Sequence, residues 1–244
     1  MCIRDKINIK HGIKVGEDVS FAELQTSYDA VFMGVGLGTS KDIQLDGESA
    51  SGVLNAVDYI HQLRQAKDLG QLPVGQDIVV IGGGMTAIDI AIQIKRLGAA
   101  NVTMAYRRGK EQMNASIEEQ EFALNEGVHI AHWAKPVSLQ IEQGAITGVE
   151  FSKANIEGGE TYITPTDMLF KAIGQSLTPI NMGAIEFVKT SGKYEVDDQL
   201  RTSQPGIWAG GDCVAGSDDL AVSAVQDGKL AALSIHKSFT QSQA

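Results

Sequence analysis

An apolar run, a glycine turn and a helical period follow one another between residues 78 and 97, and that succession leaves few folds open. Ile78-Val79-Val80-Ile81 reads as a short buried strand, Gly82-Gly83-Gly84-Met85-Thr86-Ala87 as the turn, and Met85 to Leu97 as a helix. Lys95 and Arg96 fall in the last helical turn and Gly98 stands just past it, as a helix stop requires. The turn fits G-x-G-x-x-G/A in the context that gives the pattern meaning, with a strand before it and a helix after. Gly82 permits the tight turn, Gly84 lets backbone approach a pyrophosphate, and Ala87 allows close helix–strand packing. Free N–H groups and the dipole at the helix start favour negative charge there. A glycine-rich turn without a ligand is the alternative reading of these residues.

The next strand selects the nucleotide. A site for NAD places Asp or Glu about 20 residues beyond the glycines, to bond the ribose 2′-hydroxyl. Here the strand Asn101 to Tyr106 ends in Arg107-Arg108-Gly109-Lys110. Two guanidiniums at that point suit a 2′-phosphate, through charge-assisted and bidentate bonds. The chain otherwise carries a net charge of −10, so the basic cluster stands apart. NADP(H) is favoured, NAD(H) is kept as second choice, and a solvated surface turn is the bland alternative. The acidic balance also opposes polyphosphate binding over a broad surface. Aromatic residues at 6% offer no stacking platform, so no nucleic-acid partner is expected.

Two further runs repeat one device. Asp29-x-Val31-Phe32-Met33-Gly34-Val35-Gly36 and Asp167-x-Leu169-Phe170-Lys171-Ala172-Ile173-Gly174 each combine an acidic start, a buried strand and a terminal glycine. The full fingerprint occurs once. At 244 residues the economical reading is α/β, with two nucleotide-binding domains, the second inserted into the first. Elsewhere, alternation over residues 6–19 predicts one or two short strands, and Phe21 to Leu24 a helical turn capped by Ser20. Val53, Ala56, Val57, Ile60 and Leu63 are spaced as one helix face within 52–69, and residues 117–126 form a helix closed by Gly127. Val128 to Phe151 alternates around Glu142-Gln143-Gly144, as in an antiparallel meander.

Ala209-Gly210-Gly211-Asp212 follows the strand from Ile207 and precedes a helix predicted from about Leu220 to His236, behind Ser217-Asp218-Asp219. An acidic residue at a strand end can accept bonds from ribityl hydroxyls, and a helix start can aim its dipole at the flavin N1/O2 edge. A turn with an N-cap accounts for the same residues equally well.

Together, Gly82 through Asp89, Tyr106-Arg107-Arg108, Ala172-Ile173-Gly174-Gln175, Ala209-Gly210-Gly211-Asp212 and Val225-Gln226-Asp227-Gly228-Lys229 resemble one family. It comprises the glutamate synthase small subunit and the NAD(P)H/FAD portion of dihydropyrimidine dehydrogenase. The resemblance covers residues 25–240 and implies two nested Rossmann-like, FAD/NAD(P)-binding domains. On that likeness residues 1–74 and 175–244 form a partial FAD-binding domain, and residues 75–174 the NAD(P)H-binding domain. Gly34 and Gly36 would face the FAD pyrophosphate and ribose, Gly211 and Asp212 the ribityl chain. The backbone of Ala221 and Val222 would meet the isoalloxazine edge. Gly82, Gly84, Met85, Thr86, Ala87, Arg107, Arg108, Gly174 and Gln175 would line the nicotinamide nucleotide. No side chain need act as acid or base, because hydride passes directly from nicotinamide C4 to flavin N5.

The family's iron–sulfur domain and its first glycine fingerprint lie upstream of the stretch matched here. The chain is therefore expected to be the C-terminal portion of a longer reductase, its FAD-binding domain incomplete at the N-terminus and its hold on FAD weak. Met113-Asn114-Ala115 replaces the Met-Pro-Ala common in the glutamate-synthase branch, which favours the pyrimidine branch. Only Cys2 and Cys213 occur, which excludes a disulfide scaffold, a four-cysteine zinc site, an iron–sulfur cluster held by this chain alone and a C-x-x-C dithiol exchange. Both thiols are expected to be free, with Cys213 a small buried hydrophobe. His129 and His132, three apart on a strand, face opposite ways and are not read as metal ligands. The apolar stretch Ile78–Ile94 is broken by glycines and contains Asp89, so no membrane span is expected, and the chain reads as cytoplasmic. The expected function is an FAD-dependent NAD(P)H oxidoreductase that passes hydride from NADPH to FAD. Electrons would continue to iron–sulfur clusters of a partner domain or subunit. The alternative is a dinucleotide-binding module with no flavin chemistry of its own, completed by a partner chain.

Overall fold

The computed structural model describes residues 7–156 and 158–241. In chain order the main elements are α1 (Phe21–Ser27), β1 (Val31–Met33), β2 (Val53–Asn55), α2 (Ala56–Gln65), β3 (Asp77–Ile81), α3 (Met85–Arg96), β4 (Asn101–Tyr106) and α4 (Ile117–Asn125). They continue with β5 (His129–His132), β6 (Ala134–Glu142), β7 (Ala145–Lys153), β8 (Thr161–Pro165), β9 (Met168–Lys171), β10 (Ile207–Ala209) and α5 (Ala221–Gln241). The chain divides into two units, one of residues 40–175 and one of residues 1–39 with 176–244.

The unit of residues 40–175 is organised by a parallel sheet of five strands in the order β2-β9-β3-β4-β5. Ile78, Val79, Val80 and Ile81 are all buried, so β3 is covered on both faces, as a central parallel strand must be. On one face Ile78, Val80, Met104 and Phe170 meet the helices, chiefly Ile90 and Ile94 of α3. On the other, Val79, Ala105 and Leu169 pack with Val149 and Phe151 of the antiparallel sheet β6-β7-β8. Each large aliphatic side chain buried this way contributes about 1.5–3 kcal/mol. From β3 the chain runs outward to β4 and β5, and β9 then returns to the other side of β3. The strand order therefore reverses between β3 and β9, and in open α/β sheets the carboxyl edge at such a reversal is where ligands bind. At the opposite edge Asp167 accepts from the N–H groups of Gln76 (2.8 Å) and Asp77 (3.2 Å), which sets the registry of β9 against β3.

Three local outcomes differ from the sequence expectations. Val53–Asn55, read as helix, forms β2 and pairs with Leu169–Lys171; the helix starts only at Ala56. Gly52, at φ +86°, turns the chain into that strand, and the gain of a parallel partner outweighs helical spacing. His129–His132, read as part of the meander, joins the parallel sheet beside β4, and the meander begins after Trp133, whose φ is +60°. Over residues 7–19 no strand forms beyond a Val15–Val19 bridge, because the chain turns at Gly12 (φ +70°) and Gly16 (φ +92°). Residues 40–74 belong with the inserted unit and not with the outer segments. Tyr59 of α2 packs edge-on against Phe170 of β9 at 5.1 Å between centroids, and its hydroxyl donates to the Pro73 carbonyl at 2.7 Å.

In the other unit β1 and β10 pair in parallel, Val31 with Ile207, Phe32 with Trp208 and Met33 with Ala209. Phe21, Met33, Tyr194, Ile207, Cys213 and Val214 form its core. Ser20 and Glu23 cap α1 reciprocally, as the N-capping Ser20 predicts. The indole of Trp208 donates to Ser234 Oγ at 2.9 Å and ties β10 to α5. Among the described residues no helix is long and apolar enough to cross a membrane. Cys2 lies outside the described residues.

Candidate dinucleotide site

The glycine turn sits at the carboxyl edge of β3, and its three glycines have three different reasons to be glycine. A β-carbon on Gly82 would collide with the carbonyl of Ala172, the residue after β9, and φ there is +153°. One on Gly83 would collide with the ring of Tyr106 at the end of β4. At Gly84 nothing lies within 4 Å of such an atom, so the space a side chain would fill is open. Gly84 is the N-cap of α3 and offers no side-chain cap. The amides of Met85 and Thr86 in the first turn therefore have no carbonyl within the helix and no capping side chain. The amides of Ala87 and Ile88 are already bonded to the Gly84 carbonyl, at 3.0 and 3.2 Å. Ala87 is fully buried against the sheet. An open approach beside free amides at a helix start fits a pyrophosphate.

Arg107 and Arg108 follow β4 directly, are exposed, and join no salt bridge among the described residues. The loop that bears them is built. Arg108 stands 5.5 Å over the Tyr106 ring, and the Tyr106 hydroxyl donates to the Gln112 carbonyl. Gln112 Oε1 accepts from the Gly109 N–H at 2.8 Å, and the Trp133 N–H donates to the Arg108 carbonyl at 3.1 Å. A β-carbon on Gly109 would lie 2.8 Å from the Trp133 ring. His132, in register with Tyr106, is held below the usual imidazole range by burial and then by the Lys110 charge, so it adds no fixed charge here.

Beyond β9, Gly174 adopts φ +102° and Gln175 is half-buried. The strand end contains a lysine to which the repeated strand pattern assigns no role. Lys171 is 8% exposed and donates to Asp42 (2.7 Å) and Glu48 (2.9 Å). Burial alone would lower its pKa, but the two carboxylates outweigh burial and raise it. Burial likewise works against the Glu48 carboxylate, yet Lys171 and the N–H groups of Leu45 and Ile43 hold it below the usual range.

The unit of β1 and β10 gathers the other predicted residues. Gly34 and Gly36 follow β1, Gly210 to Asp212 follow β10, and the parallel register brings the two turns side by side. Gly36 has φ +62° and open space where a side chain would be; Gly211 has φ +74°. The Gly211 N–H donates to Asp227 Oδ2 of α5 at 2.8 Å. Asp212 is half-buried in the turn Gly211–Cys213, while Ala221 and Val222 are exposed in the first turn of α5. The expected cap is different in detail: Asp218 accepts from the Ser223 hydroxyl at 3.1 Å, and Asp219 pairs with Lys193 at 2.6 Å. Cys213 is a free, buried thiol facing the Gly210 carbonyl at 3.2 Å, and burial pushes its pKa up. Among the described residues no group of His, Cys, Asp or Glu could hold a metal ion.

Short parallel strands ending in glycine turns beside helix starts, one set in each unit, define an α/β protein of the FAD/NAD(P)-binding class. The pyridine nucleotide-disulphide oxidoreductase family matches over residues 4–228, and the chain belongs to it. It is similar to the glutamate synthase (NADPH) small chain of Escherichia coli strain K12, 34% identical over 256 residues, covering 93% of this chain and 54% of that protein. It is also similar to the NAD-dependent dihydropyrimidine dehydrogenase subunit PreT homolog of Salmonella typhi, 33% identical, covering 94% of this chain and 52% of that one. The resemblance read from the motifs is thus borne out. Thioredoxin reductase from T. acidophilum shares the fold, with a TM-score of 0.73 at 24% identity over 86% of this chain and 66% of that one. The chain spans 54% and 52% of the two curated relatives, about half their length.

Proposed function

We propose that this chain is the nucleotide-binding part of an FAD-dependent oxidoreductase that draws hydride from NADPH and serves an iron–sulfur partner domain or subunit. The observation that supports it best is the carboxyl edge of the parallel sheet. There an open Gly84 and uncapped helix amides stand beside a strand end with two exposed guanidiniums. When bound, NADPH supplies a hydride from nicotinamide C4 and FAD accepts it at N5, so that the electron pair can leave singly toward iron–sulfur clusters.

The chain's own residues bind and orient. The Met85 and Thr86 amides and the α3 dipole hold the pyrophosphate, with Gly82, Gly84 and Ala87 letting backbone come close. Arg107 and Arg108 pair with the 2′-phosphate, Arg108 already restrained over the Tyr106 ring. Gly174 and Gln175 border the nicotinamide half. In the other unit Gly34, Gly36 and Gly211 admit FAD to the backbone, Asp212 accepts ribityl hydroxyls, and Ala221 and Val222 offer amides to the isoalloxazine edge. No residue need move a proton. The two relatives' names divide between NADPH and NAD, and the two arginines favour NADPH here. A reducing cytoplasm, where both thiols stay free, suits the reading.

Titration of FAD into the protein, followed by quenching of the flavin fluorescence, tests it. Weak, saturable binding is expected. A protein that binds NADP⁺ and no FAD would favour a dinucleotide-binding module without flavin chemistry of its own.

A further inference from the structure

Residues 41–48 lie on the other side of the strand-order reversal from the arginines. The Lys41 N–H donates to the Gly174 carbonyl at 3.1 Å, and its Nζ lies 4.0 Å from the place a β-carbon on Gly174 would take. Among the described residues Lys41 joins no salt bridge, in a chain of net charge −10 and with an aspartate next to it. That aspartate is engaged elsewhere. Lys171 holds Asp42 and Glu48 together, and Glu48 also accepts from the N–H groups of Ile43 (3.1 Å) and Leu45 (3.0 Å). The segment is thus fixed at Gly174 by backbone and at β9 by a buried ion cluster, while the Lys41 ammonium is left beside the carboxyl edge.

A dinucleotide with its pyrophosphate at the start of α3 and its 2′-phosphate at the end of β4 must send its other half across β3 toward β9. Gly174 is the residue that leads out of β9, and the Gly82 turn packs on the Ala172 carbonyl just before it. We infer that Lys41 is a further binding residue of this site, which holds the nicotinamide-side phosphate of the dinucleotide. The inference rests on the NADP(H) reading above. A flexible point charge suits a phosphate shared by NADPH and NADH, whereas the fixed guanidinium forks suit the 2′-phosphate that distinguishes them.

Equilibrium titration of NADP⁺, NAD⁺ and adenosine 2′,5′-bisphosphate, which lacks the nicotinamide-side phosphate, tests it. Lys41→Gln is expected to weaken NADP⁺ and NAD⁺ by the same factor, about tenfold for one charge-assisted bond. The bisphosphate should bind as before, and Lys41→Arg should recover most of the loss. Arg108→Gln should show the mirror pattern, weakening NADP⁺ and the bisphosphate while sparing NAD⁺. Unchanged NADP⁺ affinity in Lys41→Gln, or an equal loss for the bisphosphate, overturns the assignment of Lys41 while the Arg108 pattern stands. If the parent protein binds none of the three, the NADP(H) reading itself is overturned, and this inference with it.

Discussion

The ring of Tyr106 closes over Gly83 so tightly that no β-carbon fits between them, and Arg108 stands 5.5 Å above the same ring. One aromatic side chain at the end of β4 therefore sets both the backbone of the glycine turn and the seat of a guanidinium. The turn and the basic strand end are one piece of structure.

The glycines should consequently separate under mutation. Gly83→Ala forces the Tyr106 ring aside and should cost about 1–3 kcal/mol of stability, the usual penalty of overpacking. Gly84→Ala meets open space and should cost no more than about 1 kcal/mol, the N-cap preference for Gly over Ala, yet weaken NADP⁺ binding. Urea midpoints and NADP⁺ titrations on the two variants check both halves. A Gly83→Ala protein as stable as the parent would contradict the packing argument.

Arg107→Ala and Arg108→Ala should each raise the Kd for NADPH about tenfold or more, and leave the Kd for NADH nearly unchanged. The salt dependence of NADPH binding should flatten in both. Unchanged NADPH affinity would remove the 2′-phosphate assignment.

How much of this is legible in the sequence depends on whether the cause is local. The turn, α3 and the strand Asn101–Tyr106 were readable because each rests on residues adjacent in the chain: an apolar run, glycines, a basic last turn. The strand Val53–Asn55 was not, because its helical spacing is real and only the distant partner Leu169–Lys171 overrules it. His129–His132 alternates like the meander after it, and which sheet it joins is decided by β4. Lys171 stands within a repeated strand pattern, where its counterpart is Met33. Its role needed Asp42 and Glu48, which lie more than a hundred residues earlier in the chain. Gly83, Tyr106 and Asp227 were visible as motif letters, but their contacts were not.

Acid should act on the Lys171 cluster in a definite direction. Glu48 titrates below its ordinary value near 4.5 in the folded chain, so the stability it contributes is complete above that value and is lost as pH falls through the lower folded one. Lys171 is raised above 10.5, so its contribution is complete below that value and is lost only as pH rises through the higher folded one. Glu48→Gln should cost about 1–3 kcal/mol at neutral pH and flatten the acid limb of a urea-midpoint profile. An acid limb identical to the parent's would contradict the clamp.

Asp227 holds the turn that presents Asp212. Asp227→Ala leaves the Gly211 N–H without its acceptor and should cost about 1–3 kcal/mol, together with a weaker hold on FAD. Asp227→Asn keeps an acceptor oxygen and should fall between the variant and the parent. Thermal denaturation and quenching of FAD fluorescence read the two effects.

The most direct trial of the whole account is anaerobic stopped-flow mixing of the FAD-supplied protein with NADPH, followed at the flavin absorbance band. The band should bleach in proportion to the NADPH added, faster than with NADH, and the preference should disappear in the Arg107→Ala/Arg108→Ala protein. A flavin that stays oxidised with NADPH in excess, or that is reduced no faster than free FAD, would contradict it.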